Sequence, residues 1–146
     1  MNELFTNPTF LSGVFGWFSA QSIKLSWNLI KTKKVDFRYM ISTGGMPSAH
    51  SAAVCAVATA VGIREGVGST MFALAMAFSM IVMFDAQSVR RAAGQQARIL
   101  NQIVEELFKE HHLSGQKLAE LLGHTRPEVL GGLLLGVAVG FVVHGW

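Results

Sequence analysis

Three polar stretches in an otherwise apolar chain hold residues able to bind an anion and move a proton. The first is Gly44-Gly45-Met46-Pro47-Ser48-Ala49-His50-Ser51. Paired glycines let a backbone approach a ligand closely, and Pro47 suits the first turn of a helix, where its missing N–H is no loss. A histidine one turn in would lie beside open N–H groups at the positive end of the helix dipole, a place to hold a phosphate and give it a proton. The plainer reading is a glycine-rich turn capping a membrane helix, with His50 incidental. The second stretch is Asp85-Ala86-Gln87-Ser88-Val89-Arg90-Arg91, and the third pairs His124 with Glu128. Arginine presents a planar fork that fits phosphate oxygens bidentately. Of two histidines, a neutral one can attack phosphorus while a protonated one gives a proton to the departing alcohol. Gln21, Lys24 and Asn28 add a polar stripe, because spacings of three and four share one helix face. Such a stripe in a membrane helix usually faces the protein interior; for Lys24 the alternative is snorkelling to the interface.

The elements that must position these residues are membrane helices. The chain of 146 residues is 51% hydrophobic and 14% charged, against about 25% charged in soluble domains. Its length fits one domain, residues 1–146. The net charge of +3 is not interleaved with aromatics along a soluble face, so nucleic acid is not the expected partner. The basic residues read instead as topology signals. Cys55 is the one cysteine and has no partner for an intrachain disulfide. A basic n-region and a small-residue cleavage site are both lacking at the start, so no removable signal peptide is expected. Met71, Met76, Met80 and Met83 read as packing, and Glu110-His111-His112 as a polar helix end, so no metal is expected.

Apolar runs predict spans over Thr9–Ile30, Ser48–Ile63, Val67–Phe84 and Glu128–Trp146, with Asn7-Pro8 and Pro127 as helix starts. Gly132, Gly136 and Gly140 form a ridge suited to close helix contact. From Ala92 to Arg126 the chain leaves the bilayer. Ile99, Ile103, Val104, Leu107 and Phe108 oppose Glu105, Glu106, Lys109 and Glu110 as an amphipathic helix, and Leu113–Leu122 reads as a second short one. The fold class is therefore all-α: a polytopic membrane bundle of about four spans with one or two interfacial helices. Four of the 12 basic residues fall in 31–38 and six in 90–126, which puts both polar loops in the cytoplasm and both termini outside. His50, Asp85, Arg90, Arg91, His124, Glu128, Lys24 and Gln21 then share one face. Buried charges at one depth are expensive unless they serve a guest, and the natural guest is a lipid phosphate. Four short spans enclose little volume, which suits a homodimer.

Gly44-Gly-Met-Pro-Ser-Ala-His50-Ser, Asp85-x4-Arg90-Arg91-Ala-Ala-Gly and Gly123-His124-x3-Glu128-Val together resemble the divergent type-2 phosphatidic acid phosphatase family, relatives of the vanadium-dependent haloperoxidases. Pro47-Ser48-Ala49-His50 is similar to the superfamily's Pro-Ser-Gly-His motif, with Ala for Gly. His124-x3-Glu128 resembles its His-x3-Asp end, with Glu for Asp, while the arginine half is displaced to Arg90 or Arg91. The resemblance implies His50 as general acid, His124 as nucleophile through a phosphohistidine, and Glu128 as the group that orients its ring. Lys24, Arg90, Arg91, Ser48 and Gly45 are the phosphate-binding candidates, with Gln21 and Asp85 supporting. Asp85 either orients an arginine or caps a helix. Lys31-x6-Arg38 also fits the superfamily's lysine motif in spacing, with Tyr39 for proline, but Lys24 beside Gln21 is preferred. The implied activity is a metal-independent, cofactor-free phosphatase of the cell membrane acting on a lipid phosphomonoester or diphosphate, its active-site face cytoplasmic. Competing readings are a non-enzymatic lipid-phosphate binder or carrier, and a small structural membrane subunit assembled on its glycine ridges.

Overall fold

The computed structural model describes residues 2–33, 45–107 and 123–145, and all regular structure among them is helical. The expected short helix over 113–122, Glu110-His111-His112 and Val35–Arg38 of the basic loop lie outside the described residues. In order come α1 (Asn2–Phe5), α2 (Pro8–Thr32), α3 (Ala49–Glu65), α4 (Thr70–Phe84), a π-helical segment (Asp85–Val89), α5 (Arg90–Leu107) and α6 (Arg126–His144).

Short polar residues start the helices. The Asn7 side chain accepts the N–H groups of Thr9 at 2.9 Å and Phe10 at 3.4 Å, and Pro8 takes the first helical position of α2. Ser48 caps α3 by accepting the Ser51 N–H, and Ser69 caps α4 by accepting that of Phe72. Removing the Asn7 cap with Asn7→Ala is expected to cost about 1 kcal/mol, read as a lower thermal midpoint in detergent. Two boundaries differ from the sequence reading. Pro47, expected in the first turn of a helix, lies before the Ser48 cap, and α3 begins at Ala49. The polarity that begins at Asp85 does not end the helix; the chain passes through the π-helical segment into α5 and stays helical to Leu107. A local i→i+5 turn lets a helix change register without breaking. The amphipathic helix therefore begins at Arg90. It leaves Ile99, Leu100, Ile103 and Val104 exposed and buries Gly94, Ala97 and Asn101.

The bundle is organised on α3, which packs against α2, α4 and α6, while α2 also touches α6. Its core is made of small and polar groups: Ala20, Ala52, Ala56 and Ala60 are fully buried, and the largest fully buried side chains are His124, Ser12, Ser48, Ser51 and Ser79. The large apolar residues, among them Phe18, Trp27, Leu74, Phe78, Ile81, Leu134 and Phe141, point outward. In water that arrangement would present far more apolar surface than a soluble monomer tolerates. Against lipid it is favourable, because small residues let backbones approach. Among the described residues two helical runs are long and apolar enough to cross a membrane, Thr70–Glu105 and Arg126–His144. The 25 residues of α2 suffice in length, but its polar stripe dilutes its hydropathy. The 17 residues of α3 fall just short of the usual span.

Glycines set the helix spacing. A Cβ on Gly16 would lie 2.7 Å from the Ala52 carbonyl oxygen, and one on Gly140 2.6 Å from Thr59 Cβ. Cβ atoms on Gly132 and Gly136 would overlap the carbonyl oxygens of Ser48 and Ala52. The expected ridge on α6 thus lies directly on the α3 backbone.

Candidate functional site

Two helix N-termini converge at one end of the bundle. The Ser48 N–H donates to the Glu128 carbonyl oxygen at 2.9 Å, tying the start of α3 to the first turn of α6. Both helices present the positive end of their dipoles there, which favours an anion. His50 sits in the first turn of α3 and His124 two residues before α6. Their ring centroids are 6.0 Å apart with the planes at 63°, so the first and third polar stretches meet.

His124 is the most constrained residue of the site. Its side chain is 1% exposed, and Nδ1 lies 3.0 Å from Glu128 Oε2. That same oxygen accepts the Thr125 N–H at 3.1 Å, which fixes the carboxylate by a second bond. The His124 N–H donates to the Ala86 carbonyl oxygen at 2.8 Å, so the π-helical segment holds the residue from the other side. With the Nδ1 proton directed at the carboxylate, the lone pair lies on Nε2. Nε2 is buried and has no hydrogen-bond partner among the described residues. A buried, oriented imidazole with an unused lone pair is the arrangement a nucleophile needs.

On α2 the predicted stripe faces inward: Gln21, Lys24 and Asn28 are buried in line with Ser12, Gly16 and Ala20. Lys24 is 5% exposed and feels the Glu128 carboxylate as its charged neighbour. Lys31, the other lysine considered, is exposed and lies over the Trp27 ring, 5.4 Å from its centroid. Ser48 is fully buried as the α3 cap. Gly45 lies exposed in the turn before it, with a φ of 87°. Asp85 opens the π-helical segment, its N–H donating to the carbonyls of Ile81 and Val82, and the helix does not end there. Arg90 and Arg91 have helical backbones at the start of α5; their side chains lie outside what the structure describes. Among the described residues, no group of three or more His, Cys, Asp or Glu side chains is placed to hold a metal ion.

Two features have no role in the sequence reading. The Ala86 carbonyl is a backbone group, invisible to any residue-type motif, and its signal would have been the polar break at Asp85 read as a register change. Ser51 is fully buried, with an Oγ that has no hydrogen-bond partner among the described residues; its place beside His50 was the available clue.

Comparison with known proteins supplies the family. No solved structure matches the chain. An uncharacterized membrane protein of Bacillus subtilis (strain 168), YuiD, is 40% identical over 97% of this chain and 96% of its own length. The apolar exterior, the two candidate spans and this likeness together mark a membrane protein. The model of the Divergent PAP2 family matches residues 5–139, a stretch that includes every one of the convergent residues, and the chain belongs to that family.

Proposed function

We propose that this protein is a multi-pass membrane phosphatase that hydrolyses a lipid phosphomonoester or diphosphate through a phosphohistidine at His124. In this reading α2, α3, α4 and α6 cross the membrane and the site opens to the cytoplasmic face, consistent with the basic residues at that end. The observation that carries it is the His124 ring, buried, oriented by Glu128 through Nδ1 and without a partner at Nε2 among the described residues. Binding alone calls for cations; it does not call for an oriented imidazole lone pair with a second histidine beside it.

The chemistry closes with these groups. Lys24, the two helix N-termini and the arginines at the start of α5 hold the phosphate. The Nε2 lone pair forms the N–P bond as the P–O bond to the lipid breaks, and the leaving oxygen takes a proton from protonated His50. Water then attacks phosphorus, the N–P electron pair returns to Nε2, and the proton released by water goes to His50. The net reaction consumes one water and yields phosphate, together with the lipid alcohol from a monoester or the lipid monophosphate from a diphosphate.

The test is phosphate release in detergent from a panel of lipid phosphates with EDTA present. Wild type is expected to turn over at least one class. His50→Ala is expected to lose about 10²- to 10⁴-fold on an alkyl phosphate, the usual contribution of a general acid. It should lose far less on an aryl phosphate, whose leaving group needs no proton. Equal losses on both would remove His50 from that role. Bound lipid phosphate with no release from any substrate would overturn the phosphatase reading in favour of a carrier.

A further inference from the structure

The same two helices that present Lys24 and Glu128 flank, farther along, an open groove of about 520 Å³ lined by Phe15, Ser19, Ala138, Val139, Val142 and Val143, of which Phe15, Ala138 and Val142 are exposed. Ser19 is the one lining residue with a polar side chain. The volume lies within the range of ligand pockets, roughly 300–1,000 Å³.

The helix register fixes where this groove lies relative to the charged end. Gly16 and Gly136 both approach the Ala52 carbonyl oxygen, so they stand at one depth. Gly16 is eight residues before Lys24, and Gly136 is eight residues after Glu128. At about 1.5 Å per residue both steps are about 12 Å, so Lys24 and Glu128 also share a depth. Ser19 then lies about 7 Å from that charged level, and Val143 about 22 Å from it. The groove therefore runs along the bundle axis from about 7 to about 22 Å below the charged level, about half of a hydrocarbon core about 30 Å thick.

A cation with two helix N-termini at one end, and an open apolar groove at greater depth between the same two helices, complement a molecule with an anionic head and a hydrocarbon tail. We infer that the groove between α2 and α6 holds an alkyl chain of the phosphorylated lipid whose head group is bound at His124, so that chain length is read there. This rests on the phosphatase reading for its head group, and it goes beyond it by giving the tail a place. Lipid around the protein is as apolar as the groove, so selection comes from the fit of the chain to its walls. Filling the groove should therefore act on long chains and leave short ones alone.

Two groove-filling variants, Ala138→Phe and Ser19→Leu, test this against wild type with C6, C12 and C18 alkyl phosphates, after size exclusion has verified folding. Both substitutions lie outside the candidate catalytic and phosphate-binding residues. For wild type, kcat/KM is expected to rise with chain length. In the variants the C18 value should fall at least tenfold while C6 stays within twofold. Equal losses on C6 and C18, or no change on either, would overturn the inference. So would a shift of the variants from dimer to monomer, which would make the groove a contact between copies of the chain. A diazirine-tailed alkyl phosphate provides a readout independent of turnover. It is expected to label Phe15 or Val142, more strongly than the matching alcohol does and less in the filled variants. If wild type released no phosphate yet labelled in this way, the phosphatase reading would fall and the groove assignment would stand. Equal labelling by phosphate and alcohol would show only lipid contact and overturn it.

Discussion

Replacing His124 with alanine is expected to lower phosphate release by roughly 10³-fold or more, the scale on which loss of a covalent nucleophile is felt. The expectation follows from how completely this ring is committed. Its backbone N–H is bonded to Ala86, its Nδ1 to Glu128, and its Nε2 is buried without a partner among the described residues. Glu128→Gln should fall between wild type and His124→Ala, on the order of 10- to 100-fold below wild type, as when a partner that orients a reactive ring is weakened. An amide can still accept from Nδ1, but it no longer offsets the positive charge that builds on the ring as N–P bonding proceeds. Incubation with ³²P-labelled substrate and quenching in alkaline detergent, in which a phosphohistidine survives, reports the intermediate directly. Wild type should carry acid-labile label at His124 and the alanine variant none. Label persisting in His124→Ala, with more than a tenth of the activity, would transfer the nucleophile's role to another residue.

Gly136→Val and Gly132→Val should prevent the bundle from closing. At both positions the first side-chain carbon would occupy the space of an α3 carbonyl oxygen, Ala52 for Gly136 and Ser48 for Gly132. Neither obstacle is the flexible end of a side chain, so α6 must move away from α3. Overpacking typically costs 1–3 kcal/mol and occasionally more; with backbone as the obstacle, about 3 kcal/mol or above is expected. Gly132→Val should also uncouple the site before the fold is lost, because the displaced carbonyl belongs to Ser48, whose N–H is bonded to Glu128. The readout is the fraction of protein recovered as a sharp size-exclusion peak after heating in detergent. Gly68→Ala is the control, since its Cβ would meet nothing within 4 Å. A valine variant as stable as that control would show that the α3–α6 contact does not hold the bundle.

Much of this was legible in the sequence, and the reasons are physical. Apolar runs bounded by Asn7-Pro8 and Pro127 give helices because cap and ring geometry act within one turn. His50 and His124, 74 residues apart in the chain, fall at one end of the bundle by counting alternating spans. The glycine ridge of α6 was legible because small residues at a spacing of four have few uses other than close contact. The continuation of α4 through Asp85 was not legible. Its polar residues look like an exit from the helix, and only the folded chain shows that they form a π-helical register change within it. The choice between Lys24 and Lys31 depends on burial, which sequence spacing does not encode. The roles of Arg90 and Arg91 rest on side chains beyond the described residues and stay with the proposal.

The inside-out distribution of side-chain size has a further consequence. The residues that let helices recognise one another are small, and they form a set of positions almost disjoint from the large residues that meet the surrounding solvent. Assembly of the bundle and solubility of the chain are therefore written in separate alphabets on the same helices. The outer alphabet can be rewritten at outward positions such as Leu74, Phe78 and Phe141, with Leu, Phe and Met exchanged for one another to match a bilayer of different thickness, while the small-residue contacts stay as they are. The inner one tolerates almost no spelling changes, because its letters are already the smallest available.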